Sequence, residues 1–281
     1  MIDMMVEKSI LKKIYKKRDA WSKKGDFGKV LVVGGSKYYS GSPVFNALSA
    51  YRAGADLVTI YGPQRIADPV RAFAPDLIFY PYRNDFFSSR NVKEALELAK
   101  KNDSVVIGGG LTRSNATKAA VRKFLSATNK PCVIDADAIH AIAGDGVKLN
   151  KNCIVTPHAY EFHVLTGKKT DNKISNRIKL VKVAAKTYNC AILLKGNIDA
   201  ISDGTKTAIN KTGSPYMTKG GMGDTLAGIC GALIARKWAS AFDAACAAAY
   251  INGAAGAAAA KKYGEGTLAS DLINEITNAI K

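Results

Sequence analysis

A chain of 281 residues, 47% of them hydrophobic, is long enough to bury one sizeable α/β core or two small ones. Its 41 Lys and Arg outweigh 23 Asp and Glu by +18, which draws polyanions or phosphorylated metabolites without specifying a fold. The lysines are spread along the chain apart from one concentration between Lys8 and Lys24, and no basic run is interleaved with aromatic residues to stack bases. A solvated basic surface, or attraction of a phosphate-bearing small molecule, therefore fits better than nucleic-acid binding.

In chain order, residues 7–20 place Ile10, Leu11, Ile14 and Tyr15 on one face between lysines and read as an amphipathic helix. Seven short apolar runs follow: KVLVVGG (29–35), DLVTIYG (56–62), DLIFYP (76–81), SVVIGGG (104–110), PCVIDAD (131–137), CIVTP (153–157) and CAILLKG (190–196). Most are separated by helix-length segments such as SPVFNALSAYRAG. Strands apolar on both faces with helices between them imply a parallel sheet covered on both sides. Next, IDAIS and TKTAIN flank an Asp203-Gly204 turn and predict a β-hairpin. Helical patterns then occupy residues near 224–236, 240–262 and 268–280.

The stretch 239–260 is long enough to span a bilayer, but alanine contributes little to insertion and Asp243 and Asn252 interrupt it. It reads instead as a closely packed internal helix. The five cysteines are scattered without a CxxC or Cys/His cluster, so neither a zinc site nor a disulfide framework is expected, in keeping with a cytoplasmic protein. The first residues lack the apolar core and cleavage site of a signal peptide.

In parallel sheets ligands gather at the carboxyl ends of the strands. That rim would collect Gly34-Gly35-Ser36, Gly108 to Gly110, Asp135 and Asp137, Thr156-Pro157-His158 and Lys195-Gly196. The stretch GGMGD (220–224) then opens a helix. Glycines leave amides unobstructed and permit positive φ, and a helix start adds unpaired N–H groups, so Gly220, Gly221, Met222 and Gly223 form a candidate anion hole. Asp224 has two readings there: the N-cap of the helix TLAGICGALIARK that follows it, or a base beside a bound phosphate. No Gly-Lys-Ser/Thr follows, so this is not a Walker A loop.

With LLKG and a hairpin before it, GGMGD resembles the ribokinase-like superfamily, whose members transfer the terminal phosphoryl group of a nucleotide to a hydroxyl. Within it the chain looks most like the NAD(P)H-hydrate dehydratase family, from about residue 24 to the C-terminus. The motifs KGDFGKVLVVGGSKYYSGSP, GGGLTRS, VIDADAI, TPHAYEFHVLTG, LLKGNID and GGMGDTLAG carry that resemblance. Thr-Pro-His158 and Asp135-Ala-Asp137 stand where kinases of vitamin precursors tend to have Thr-Pro-Asn and Asp-Pro.

The resemblance implies an α/β, ribokinase-like three-layer sandwich: a mostly parallel central sheet, helices on both faces and a late hairpin. Residues 1–23 would be an N-terminal helix and 24–281 a single domain, with any epimerase a separate chain. Asp224 would be the catalytic base. Lys195, Gly196, Asn197, Ile198, Asp199 and Gly223 would bind ADP or ATP, with Mg²⁺ on the nucleotide. Ser42, Gly110, His158 and Asp224 would face the hydrated NAD(P)H. No protein-built metal site, no nucleic-acid partner and no membrane contact are implied, and a homo-oligomer, a tetramer in many relatives, is. The small residues of 239–260 would suit a subunit contact.

The chain departs from the family pattern at Asp199, where Thr is usual, at Gly109 in place of Pro, and at Ser42 in place of Ala. Bland readings stand beside these roles: His158 as a helix cap, Lys195 as a strand-end lysine, Asp135 and Asp137 as turn formers against binding of magnesium-bound phosphate or substrate, His163 as packing, and His140 without an evident partner. A small-molecule kinase is the alternative function, and a non-enzymatic nucleotide- or nucleic-acid-binding protein a third.

Overall fold

The computed structural model of the chain describes residues 2–144, 147 and 149–281. Among these residues ten strands form one sheet: β1 (Met4–Met5), β2 (Lys29–Val33), β3 (Leu57–Pro63), β4 (Ile78–Tyr82), β5 (Ser104–Ile107), β6 (Cys132–Ile134), β7 (Ile154–Val155), β8 (Ala191–Leu194), β9 (Asp199–Ser202) and β10 (Thr207–Asn210). Their order is β1-β10-β9-β8-β7-β6-β5-β2-β3-β4. Neighbours run parallel except where β9 meets β8 and β10.

The alternation of side chains along each strand divides the core. Val30 and Val32 enter one apolar cluster, with the helices Gly41–Arg52, Met222–Ile234, Ala241–Tyr263 and Ala269–Ile280. Leu31 and Val33 enter the other, with the helices Ser89–Lys100, Asn115–Ala127 and Ile174–Tyr188. The three-layer expectation holds. All four of these strand residues are fully buried, and burying such a side chain stabilises by roughly 1.5–3 kcal/mol.

The predicted hairpin forms as well. Asp203 Oδ1 accepts the amides of Thr205 and Lys206 at 2.9 and 2.7 Å, closing the turn so that Ser202 faces Thr207. The alanine-rich stretch is a helix packed inside the chain. A Cβ added at Gly253 would lie 2.2 Å from the Thr212 hydroxyl, and one at Gly256 would lie 2.3 Å from the Met217 sulfur. Its small residues are thus largely spent on internal contacts. Among the described residues no helix is long and apolar enough to cross a membrane.

The N-terminus corrects the sequence reading twice. Helix spans only Lys8–Ile14, its first turn in 3₁₀ form, and Tyr15 is extended at φ −95° and ψ 91°. The reason is tertiary. The Tyr15 hydroxyl donates to the Ala53 carbonyl at 3.0 Å, Arg18 pairs with Asp56 at 3.1 Å, and the Arg18 guanidinium lies 3.8 Å from the Phe27 ring centre. These contacts override a weak helical pattern. Upstream, β1 joins the sheet edge, where Asp3 Oδ2 takes the Thr207 amide at 2.7 Å. Val6, Ile10, Leu11 and Ile14 all enter the core shared with β2.

Candidate active site

The helix that follows β2, Gly41–Arg52, covers one face of the sheet, and the helix that follows β5, Asn115–Ala127, covers the other. The winding therefore reverses between these adjacent strands and opens a crevice beyond their carboxyl ends. Two glycine loops line it, joined where the Gly35 amide donates to the Gly109 carbonyl at 2.8 Å. Gly109 brings the main chain close to the carboxylate: an added Cβ would sit 2.7 Å from Asp224 Oδ1 and 3.0 Å from the Ser42 Cβ, so any side chain there would displace the Asp224 carboxyl.

Asp224 reaches this crevice from the helix Met222–Ile234. Its N-cap is Gly221 at φ 91°, a left-handed conformation that glycine adopts without strain, and no side chain caps the helix. Met222 and Gly223 come next, so Asp224 is the third helical residue, in the first turn and not at the cap. The N-cap reading is thereby corrected, and the amides at this end are free of any side-chain cap. Within the proposed anion hole Met222 takes a different part: its side chain is core and its amide leans on the Lys219 carbonyl at 3.4 Å. A Cβ on Gly220 would meet nothing within 4 Å, and one on Gly223 would face Lys195 Nζ at 3.3 Å. The cradle thus opens towards a cation.

The carboxyl of Asp224 is half-buried. Burial and the charge of Asp135 push its pKa up to about 7, against the Ser42 hydrogen bond, Lys195 and Asn46. Asn46, fully buried, fixes the turn by donating to the Asp224 carbonyl at 2.8 Å. A carboxylate poised near neutrality suits proton abstraction.

Lys195 organises the opposite wall. Its ammonium lies 3.0 Å from Asp135 Oδ1 and 3.7 Å from Glu161 Oε2, both carboxylates being buried. Burial works against that charge, yet Asp135, Glu161 and Asp224 outweigh it and hold the lysine pKa above its ordinary value. Thr156 completes the Asp135 shell by donating at 2.7 Å. Lys195 is therefore the cation of a buried network, more than a lysine snorkelling at a strand end.

The turn after Lys195 shows what Asp199 does. One oxygen accepts the Gly196 amide at 3.0 Å and the other accepts the Asn210 side-chain amide at 3.0 Å, tying the turn to β10. Burial pushes its pKa up to about 6, opposed chiefly by Asn210 and the Gly196 amide. Arg177 buttresses the same turn, donating to the Leu194 and Lys195 carbonyls at 3.3 and 3.1 Å. Asn197 is exposed at the tip, and Ile198 packs against the core. The structure thus shows Asp199 holding the turn's shape, with both oxygens already engaged. Asp199→Ala removes the acceptor of the Gly196 amide and one of two acceptors of the Asn210 side-chain amide, which keeps the Ala249 carbonyl at 3.2 Å, and should cost about 1 kcal/mol, read as a lower melting temperature.

His158 is a helix cap. Its Nδ1 accepts the amides of Tyr160 and Glu161, both at 3.2 Å, and Glu161 returns the favour to the His158 amide at 2.9 Å. The ring proton therefore sits on Nε2, 3.4 Å from Glu161 Oε1, and the side chain is 51% exposed. Glu161 links this histidine to Lys195, a role that no motif marks in advance. His140 has its pKa lowered by burial and by Arg113, and its Nε2 is buried without a hydrogen-bond partner. His163 likewise keeps Nδ1 buried and unpartnered, consistent with packing.

On the Ser42 side a cavity of about 560 Å³ opens, lined by Tyr38, Tyr39, Ser42 and Gly110, and by Thr112, Arg113 and Asp137. Asp135 and Asp137 part company here: the first belongs to the lysine network, the second to this cavity. Among the described residues no three His, Cys, Asp or Glu side chains gather to hold a metal ion.

The doubly wound sheet that carries the glycine-cradled Asp224 has a ribokinase-like fold. The fold superposes on a ribokinase-like superfamily protein of Enterococcus faecalis V583 with a TM-score of 0.86, at 22% identity and covering 99% of this chain and 95% of that one. Residues 30–278 match the NAD(P)H-hydrate dehydratase family, and the chain belongs to it. An ADP-dependent (S)-NAD(P)H-hydrate dehydratase of Cenarchaeum symbiosum is 38% identical, covering 99% of this chain and 96% of its own. The bifunctional NAD(P)H-hydrate repair enzyme Nnr of Pyrobaculum aerophilum is 42% identical over 94% of this chain. The chain spans about half of that relative, 52% of its length.

Proposed function

We propose that this chain dehydrates the hydrated nicotinamide ring of NAD(P)H hydrate at the expense of ADP or ATP, acting in the cytoplasm to restore NAD(P)H. The observation that carries the reading is Asp224: a carboxyl raised to about 7, set in the first turn of an uncapped helix and facing Lys195 across a glycine cradle.

Hydroxide is a poor leaving group, and phosphorylation makes a good one. Asp224 takes the proton of the ring hydroxyl as its oxygen bonds to the terminal phosphorus and the bond to the nucleotide's bridging oxygen breaks. Lys195 and the amides of Gly220, Gly221 and Gly223 offset the charge on the moving group, as phosphoryl transfer requires. The ring nitrogen then expels phosphate, and the neighbouring ring carbon releases a proton to restore the dihydropyridine. Ser42 and Gly110 border the space beside Asp224 where the ring would lie, with His158 across the network. Among the described residues no side chains form a metal cage, so Mg²⁺ would arrive on the nucleotide phosphates, and no step here is routed through it.

The purified chain with hydrated NADH, ADP and Mg²⁺ should regenerate dihydronicotinamide absorbance, and ATP in place of ADP reveals the preferred donor. No regeneration, together with a stable phosphorylated product from a vitamin-precursor alcohol, would favour the kinase. An assay for interconversion of the hydrate epimers tests the expectation that epimerisation belongs to a separate chain. Sedimentation tests the homo-oligomer.

A further inference from the structure

The cavity beside Asp224 contains a cation that the proposed mechanism leaves unused. Arg113 Nε donates to Asp137 Oδ1 at 2.7 Å, and the other oxygen of Asp137 accepts the Thr112 amide at 2.8 Å. That grip consumes Nε, and among the described residues the two terminal nitrogens of the guanidinium have no hydrogen-bond partner. The fork they present matches two oxygens of a phosphate.

The backbone here is held in costly shapes. Thr112, a β-branched residue, sits at φ 73°, and Ala136, next to Asp137, sits at φ 47°. Such strain persists only where the surroundings impose it, and it gathers at binding sites. The ion pair itself returns little stability, because the Arg113 side chain is 53% exposed. Both strained residues adjoin or line the cavity that Arg113 lines, where a binding site would hold such backbone.

We propose that Arg113 grips a phosphate of the dinucleotide hydrate, with Asp137 as its positioning residue; the inference rests on the substrate reading given above. The hydrated ring has to reach Asp224, so the rest of the dinucleotide has to leave past Ser42 and Gly110. Both residues line the cavity that Arg113 also lines. Tyr38 and Tyr39, 68% and 54% exposed, offer apolar ring surface along the same route. The co-substrate nucleotide belongs on the Lys195 side, beyond β8, whereas Arg113 follows β5.

The test compares wild type, Arg113→Ala, Arg113→Lys and Asp137→Asn with NADH hydrate and NADPH hydrate, measuring kcat, both KM values and equilibrium binding of each hydrate. Arg113→Ala should raise KM and Kd for the hydrate about 10- to 100-fold. The kcat and the KM for ADP should stay at wild-type values, since the contact is uniform through the reaction. Arg113→Lys should recover part of the loss, and Asp137→Asn should shift the hydrate KM in the same direction without moving the nucleotide KM. An effect on both hydrates identifies the bridging diphosphate, and an effect on NADPH hydrate alone identifies the 2′-phosphate. Unchanged hydrate binding in Arg113→Ala, or a rise in the ADP KM instead, overturns the proposal while leaving the dehydratase reading intact. A wild-type chain that binds the hydrates without turning them over defeats that reading, and its Kd values still decide Arg113. Binding by neither protein overturns both.

Discussion

Asp224→Asn should lower kcat by about 10²- to 10⁴-fold, the range that general-base catalysis contributes, while making the folded protein more stable at neutral pH. The two effects share one cause. Burial and Asp135 raise the carboxyl from the ordinary 3.8 to about 7, so the fold disfavours the charged form the mechanism needs. For a carboxyl raised on folding, the folded state binds more protons than the unfolded state. Wild-type stability contributed by this group therefore falls as pH rises from about 4 to about 7 and is level above that. The neutral amide escapes this loss. The variant's advantage should be absent below about pH 4 and complete above about pH 7. Its plateau should be on the order of 2 kcal/mol, allowing for water reaching a half-buried group.

Denaturant unfolding of both proteins across that range checks the sign. An Asn variant that is inactive and also less stable at pH 8 would mean that Asp224 is a structural hydrogen-bond acceptor and not a base kept under strain. The same titration should appear in wild-type kinetics: kcat/KM for the hydrate rises through pH about 7 as the free carboxyl loses its proton.

Much of this could be read in the sequence because it is local. Val30 to Val33 are apolar on both faces, which in a soluble chain requires cover on both sides, and the glycines around Asp224 announce a turn and a main-chain cradle within a few residues. What escaped is made by contacts between distant residues. Asn46 reaches Asp224 across 178 positions, and Lys195 meets Asp135 across 60. No periodicity records such pairings. β1 was illegible for a related reason: two residues carry no pattern, and they form a strand because β10 offers an edge. The N-terminal helix erred the other way. Its apolar spacing was genuine through Ile14, and then Tyr15 and Arg18 found better partners on the body of the fold. His158 was legible as a position at the rim and Asp199 as a departure from the family motif, but the polar partners that define them, Glu161 and Asn210, showed no sign of their part until the strands were assembled.

Lys195→Met should be the most damaging single change outside Asp224. The lysine stands between two buried carboxylates, and removing it strands both. Breaking a buried pair by deleting one partner costs about 3–5 kcal/mol, because the remaining charge has neither water nor a counterion. Protonating the stranded groups relieves the penalty, so the stability gap from wild type should narrow as pH falls. Catalysis should suffer separately. Lys195 lowers the Asp224 pKa, so its loss moves the rise of kcat/KM to higher pH, and the cradle at Gly223 loses its facing cation. Adding Asp135→Asn distinguishes the two effects. The double variant should regain part of the stability and, with Asp135 no longer charged, part of the pH shift, yet its kcat should stay low because no cation faces the transferred phosphoryl group. A double variant restored in rate as well as in folding would reduce Lys195 to a purely structural counterion, and the charge-neutralising half of the mechanism would have to come from the main-chain amides alone.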